Sequence, residues 1–287
     1  MTDEKTFIAD PGDDSFEHIH PTTHFAIGAH QDDIEIMALH GILSCYKQSQ
    51  QRFGACVVTD GRGTPRTGEF ANVSDDEMVK IRAEEQLKAA EIGDYVNCIL
   101  LGYQSNEVRQ LDFEPLTNKL IRILSLAQPK VVYTHNLADR HKTHLAVGLH
   151  VIKAIRRMPK ELRPEKLYGC EVWRSLDFLP DTHNVSLDVS ARPELQSALI
   201  NAFRSQIAGG KNYEQALIGR LLANATFQDA YSPDVSSRLS IAMDMTPLIQ
   251  NDQLSPRAYM QDILRATEDE IDKNLISLLG DKNTLGD

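Results

Sequence analysis

Phe25-Ala26-Ile27-Gly28-Ala29-His30-Gln31-Asp32-Asp33-Ile34-Glu35 changes its periodicity midway. Phe25, Ile27 and Ala29 alternate with smaller residues as a short buried strand does, whereas Ile34, Ala38, Gly41, Ile42 and Cys45 recur at helical spacing. The stretch is therefore a strand-to-helix turn, and it carries an imidazole and two adjacent carboxylates at the exit of the strand. In an open α/β sheet, ligands bind in the crevice outside the carboxyl ends of the strands, so chemistry and position agree on a hydrolytic metal site. The stretch alone leaves a second reading open. Carboxylates at a helix start also cap free N–H groups and favour the positive end of the helix dipole. A second histidine at the same edge of the sheet would separate the two.

Val131-Val132-Tyr133-Thr134-His135-Asn136-Leu137-Ala138-Asp139-Arg140-His141-Lys142-Thr143-His144 supplies one. Val131 to Thr134 read as a fully buried parallel strand, and the apolar spacing from Leu145 through Gly148, Leu149 and Ile152 is helical. With both strands parallel, His30, Asp33 and His144 face one crevice as two imidazoles and one carboxylate. Three protein ligands leave a coordination position for water, as in catalytic zinc sites. Two solvated helix-start histidines remain the alternative for His141 and His144.

Strand patterns at 23–29, 53–59, 95–102 and 130–135 alternate with helical ones at 34–48, 75–92 and 115–127, which predicts a βαβ series. Ser74-Asp75-Asp76-Glu77 is a capping box opening the second helix, and Gly93 stops it. A helix at 143–157, strands at 167–173 and 184–189, and helices near 192–207 and 256–279 follow. The predicted fold class is α/β, a single-domain, Rossmann-like, mostly parallel sheet with helices on both faces. Residues 1–20 form an N-terminal extension ahead of a domain at 21–287, and both termini are expected to be loosely held.

The chain has 287 residues, 41% of them hydrophobic, enough for one sizeable core. A net charge of −11 argues against nucleic acid as a partner, since that affinity comes from clustered Lys and Arg. The one dense basic patch, Lys153 through Arg157 with Lys160 and Arg163, suits the negative end of a helix. No stretch approaches the twenty or so apolar residues of a membrane helix, and the N-terminus is unlike a signal peptide. Cys45, Cys56, Cys98 and Cys170 are widely spaced inside apolar patterns, as reduced core residues are. A cytoplasmic protein with no membrane partner is expected. Association with further copies of the same chain is left open. The Gly-rich run Thr59 to Gly68 matches neither dinucleotide nor P-loop patterns.

Ala29-His30-Gln31-Asp32-Asp33-Ile34-Glu35 resembles the Ala-His-Pro-Asp-Asp signature of the PIG-L/LmbE family of zinc-dependent N-acetylglucosamine deacetylases. Asp139-Arg140-His141-Lys142-Thr143-His144 resembles the second signature of that family, Asp-x-His-Pro-Asp-His. Thr59-Asp60-Gly61, Arg82 with Glu85, and Arg204-Ser205-Gln206 extend the similarity over residues 23 to 228. The resemblance implies a zinc-dependent deacetylase that hydrolyses a linear amide on a small amino-sugar substrate, with Fe2+ as the alternative ion. It implies His30, Asp33 and His144 as metal ligands, Asp32 as the proton carrier and His141 as the oxyanion donor. Arg82 and Asp60 are implied as substrate-binding residues, Asp60 on a loop that walls the pocket. Gln31 and Thr143 depart from the family pattern. Thr143 removes the carboxylate that partners the first histidine, unless Asp139 substitutes for it. Two other classes share parts of this pattern: a non-haem Fe(II) oxygenase, whose triad spacing differs, and a sugar-binding protein of the same fold without turnover.

Overall fold

Phe25, Ile27, Cys56, Val58, Ile99 and Leu101 pack into one apolar layer, and Ala26, Ala55, Val57, Cys98 and Leu100 into another. Side chains that alternate in this way along strands buried on both faces make a covered, mainly parallel sheet. The computed structural model describes residues 5–9 and 16–280. Its strands are β1 (Thr6–Ile8), β2 (His24–Gly28), β3 (Phe53–Thr59), β4 (Asn97–Tyr103), β5 (Val131–His135), β6 (Lys166–Cys170), β7 (Asn184–Asp188) and β8 (Leu239–Asp244). They form one sheet in the order β1-β4-β3-β2-β5-β6-β8-β7. The neighbours from β1 to β6 pair in parallel, and β8 runs antiparallel to both β6 and β7.

The helices are α1 (Asp33–Met37), α2 (Leu39–Cys45), α3 (Asp75–Ile92), α4 (Ser105–Val108), α5 (Glu114–Ala127), α6 (Lys142–Arg157), α7 (Pro193–Asn201), α8 (Arg204–Ile207), α9 (Tyr213–Phe227), α10 (Thr246–Gln250) and α11 (Pro256–Leu279). Residues of α5, α6, α10 and α11 cover one face of the sheet, and residues of α1, α2, α3 and α7 the other. Among the described residues no helix is long and apolar enough to cross a membrane.

The four predicted N-terminal strands and the capping box at Ser74 and Glu77 are present. Two predicted helices are interrupted. The 34–48 helix breaks at Ala38 (φ −110°, ψ 22°), and the 192–207 helix breaks at Phe203 (φ −91°, ψ 63°). The second break turns the start of α8 toward α3. There, the Ser205 N–H and hydroxyl donate to the Glu85 carboxylate at 2.6 and 2.7 Å. The expectation of a loosely held N-terminus is corrected for its described part. Thr6–Ile8 pairs with β4, covering an otherwise open edge, and Phe16 and Ile19 are buried in the core. The remaining residues of both termini, 1–4, 10–15 and 281–287, lie outside the described residues.

From β2 the chain runs outward through β3 to β4, then returns to the opposite side of β2 as β5. The carboxyl ends of β2 and β5 therefore flank the topological switch point, where such sheets open a crevice.

Candidate active site

Both signature stretches leave the sheet at this switch point. His30, Asp32 and Asp33 follow β2, His135 ends β5, and His141 and His144 open α6. Gly148 lets α6 approach, because a Cβ there would lie 2.8 Å from the His135 carbonyl oxygen. As a result, His30 Nδ1 lies 3.1 Å from His144 Nε2 and 3.3 Å from Asp33 Oδ2, and His144 Nε2 lies 3.4 Å from the same oxygen. Donors held about 2.0–2.2 Å from a tetrahedral zinc ion stand roughly 3.3–3.6 Å apart, so this donor set fits a divalent ion.

Two further histidines join the cluster. His135 is fully buried with Nε2 3.3 Å from Asp33 Oδ2, and it was missed in the sequence because a histidine ending a buried strand reads as core. Its Nε2 accepts the Ala29 N–H at 2.9 Å, which occupies the lone pair an ion would need. His141 is exposed, and its ring packs edge-on against His30 with centroids 4.9 Å apart. Its donor atoms group with those of His30 and His144.

Burial pushes the Asp33 carboxyl up, but the His144 and His135 imidazoles outweigh it and hold the group well below the ordinary carboxylate range. Burial lowers His144 to about 4, keeping the imidazole neutral as ligation requires. Asp139 Oδ2 stands 3.4 Å from His144 Nδ1, on the side away from His30. Its other oxygen accepts the His141 backbone N–H at 2.7 Å. Asp139 therefore braces the ring of His144 and the backbone of His141. The pKa of His141 is lowered by burial first and by His30 second, with Asp33 and Asp139 opposing.

Asp32 adopts a left-handed conformation, φ 87° and ψ −28°. Burial raises its carboxyl to about 7 against the pull of Arg82, whose Nη2 donates to Oδ2 at 2.9 Å. The structure corrects the expectation for Arg82. Its guanidinium is fully buried behind Asp32, donating to the Gln31 carbonyl, to Glu85 Oε2 at 3.2 Å and to Ser205 Oγ at 3.3 Å. It has no face toward the cavity. Asp60 is likewise buried and held by Arg62, whose backbone N–H donates to Oδ1 at 3.1 Å, although Gly61 and Thr64 of the same loop do line the cavity. Gln31 is buried where the family pattern has proline, with its Nε2 donating to the Thr59 carbonyl at 3.1 Å. That bond ties the turn to β3.

A cavity of about 660 Å³ opens over His30, Asp32, Asp33 and His141. Trp173, the one tryptophan of the chain, forms part of its wall and is 39% exposed. Tyr213 and Lys211 stand beside it, the Lys211 ammonium 5.0 Å from the Trp173 ring centroid. These residues belong to segments with no signature, so nothing in the sequence singled them out.

Residues 25–155, the span holding every member of the histidine and aspartate cluster, match the family model described as PIG-L: GlcNAc-PI de-N-acetylase. Solved structures extend the likeness past the matched segment. The N,N'-diacetylchitobiose deacetylase of Pyrococcus horikoshii is 17% identical with a TM-score of 0.59, over 80% of this chain and 86% of that one. GalB, the 4-carboxy-2-hydroxymuconate hydratase of Pseudomonas putida, is 16% identical with a TM-score of 0.59, over 78% and 95%. The zinc-inhibited form of the teicoplanin deacetylase Orf2 is 14% identical with a TM-score of 0.55, over 77% and 97%. At these identities the likeness is one of fold.

Proposed function

We propose that this chain hydrolyses the acetamido group of an N-acetylglucosamine-containing substrate, releasing acetate and a free amine. The carrying observation is the convergence of His30 Nδ1, Asp33 Oδ2 and His144 Nε2 within 3.4 Å of one another at a cavity whose floor also holds Asp32. Because the fold hosts deacetylases and a hydratase alike, fold does not choose the reaction. The family model that residues 25–155 match favours deacetylation.

His30, Asp33 and His144 would hold one divalent ion, and two nitrogens with one oxygen suit zinc. Such an ion supplies Lewis-acid polarisation of the amide carbonyl and acidification of water. Asp32, raised to about 7, takes the proton of the attacking water and returns it to the sugar nitrogen as the C–N bond breaks. His141, exposed at the cavity, donates to the carbonyl oxygen as charge develops there. Trp173 offers an apolar face for the sugar ring in place of the contacts expected from Arg82 and Asp60. All four cysteines are free and buried, which supports the cytoplasmic setting.

Acetate release from N-acetylglucosamine compounds by zinc-loaded protein, abolished by a chelator and restored by Zn2+, is the expected result. Asp32→Asn should retain metal by elemental analysis while turnover falls by ~10²-fold or more, whereas Asp33→Asn should lose both. No acetate from any such compound at full metal occupancy, or identical behaviour of the two variants, would reject the reading.

A further inference from the structure

Taking the deacetylase reading for the place of the acetamido group, we propose that Tyr213 determines specificity. Its hydroxyl donates a hydrogen bond to an oxygen on one of the two sugar carbons that flank the acetamido-bearing carbon. Tyr213 opens α9 and begins the stripe Tyr213, Leu217, Leu221 that this helix turns toward the core. Leu217 and Leu221 are buried, whereas Tyr213 is half-buried and comes out on the wall of the cavity that also holds Asp32 and Asp33. A phenylalanine would complete the stripe equally well, so packing accounts for the ring and leaves the hydroxyl unexplained.

A tyrosine hydroxyl taken out of bulk water usually finds a partner. Tyr95 donates to Glu35 Oε1 at 2.7 Å, the Tyr133 hydroxyl lies 2.8 Å from His40 Nδ1, and Tyr259 donates to the Asp244 carbonyl. Among the described residues the Tyr213 hydroxyl has no such partner. Burial first, and then the charges of Asp32 and Asp33, keep its pKa above the ordinary phenol value against the pull of Arg82, so the group stays a donor. The same charges indicate where it stands. Asp32 acts on the phenol more strongly than Asp33, whereas the charges acting on His141 are those of His30, Asp33, Asp139 and His135. His141 therefore serves the acetyl oxygen, and Tyr213 stands on the side of Asp32, which hands its proton to the sugar nitrogen. Next to that nitrogen lie the ring carbon that bears it and the oxygens on the two neighbouring carbons. The Trp173 and Tyr213 rings meet edge to face, with centroids 6.3 Å apart at 68°. A sugar lying on Trp173 thus turns its edge oxygens toward Tyr213.

The test compares zinc-loaded wild type and Tyr213→Phe on N-acetylglucosamine and its 1-deoxy and 3-deoxy analogues, following acetate release. In the wild type one analogue should lose about tenfold or more in kcat/KM, because its missing oxygen leaves the phenol without an acceptor. The analogue that does so identifies the oxygen. In Tyr213→Phe, kcat/KM on N-acetylglucosamine should fall by a similar factor, bringing its ratio to that analogue close to one. Zinc content and thermal melt should match the wild type, since the hydroxyl holds nothing in the protein. Neither analogue losing activity in the wild type, or Tyr213→Phe leaving the ratio unchanged, would overturn the proposal. If the wild type releases no acetate from any compound, the same series is read by calorimetric binding. An oxygen dependence of affinity that disappears in Tyr213→Phe would then reject deacetylation and leave the Tyr213 assignment standing, and its absence would overturn both.

Discussion

Asp32 holds a backbone conformation that costs a non-glycine residue about 1–3 kcal/mol unless its surroundings impose it. The surroundings here are buried side chains of α3: Gln86 Oε1 accepts the Asp32 N–H at 3.2 Å, and Arg82 grips both the Asp32 carboxylate and the preceding carbonyl. Arg82 thus holds the reacting carboxylate in place. Its loss would strand the buried carboxylates of Asp32 and Glu85, so Arg82→Ala should lose about 3–5 kcal/mol of stability by chemical denaturation. A substrate clamp would behave differently, raising the Michaelis constant at unchanged stability, and that outcome would restore the sequence expectation. The misreading has a physical source. The α3 sequence is charged on every face, so no apolar stripe marks Arg82 as inward-facing. His30, Asp33 and His144 were legible because each lies between a strand pattern and the helical pattern that follows it, or in the first turn of that helix, where the period of the sequence changes.

At the scale of elements, β2 to β6 were readable because each is a short apolar run bounded by turn residues, whereas β1, three residues long, carries too short a pattern. The antiparallel strand β8 and the helix α9 were not readable either. In α9, Leu217 and Leu221 are buried while Leu222 is 46% exposed, which blurs its helical period. The breaks at Ala38 and Phe203 also escaped notice, since each falls within an unbroken helical pattern and is set by tertiary contacts such as Ser205 with Glu85. The placement of α6 gives a test at this scale. Gly148→Ala would drive a methyl group against the His135 carbonyl and push the helix outward, carrying His144 away from His30. Zinc affinity should fall by about tenfold or more, with about 1–3 kcal/mol lost in stability. Gly219 in α9 is the control, since a Cβ there meets nothing within 4 Å and Gly219→Ala should stabilise by ~0.5–1 kcal/mol. Unchanged zinc affinity in Gly148→Ala would show that α6 does not set the cluster.

Over the whole molecule, acid stability should carry the signature of His24, at the opposite end of β2 from the candidate site. Burial, and next the charge of His40, lowers its pKa from 6.5 to about 4. Its ring stacks on Tyr133, and its Nδ1 lies 2.9 Å from Thr23 Oγ1 and 3.2 Å from Cys45 Sγ. As pH falls through 6.5 the unfolded chain takes up the proton before the folded one does, so stability declines from there down to about 4. Denaturation midpoints across that range should fall more steeply for the wild type than for His24→Gln, and parallel curves would reject the assignment. The order of strands in the sheet carries a consequence for biosynthesis. His30 and His144 are 114 positions apart, and β2 gains β5 as its neighbour only after both β3 and β4 have been made. A nascent chain with its first hundred or so residues emerged from the ribosome can already present His30 and Asp33 but has no His144, so metal capture waits on this long-range pairing.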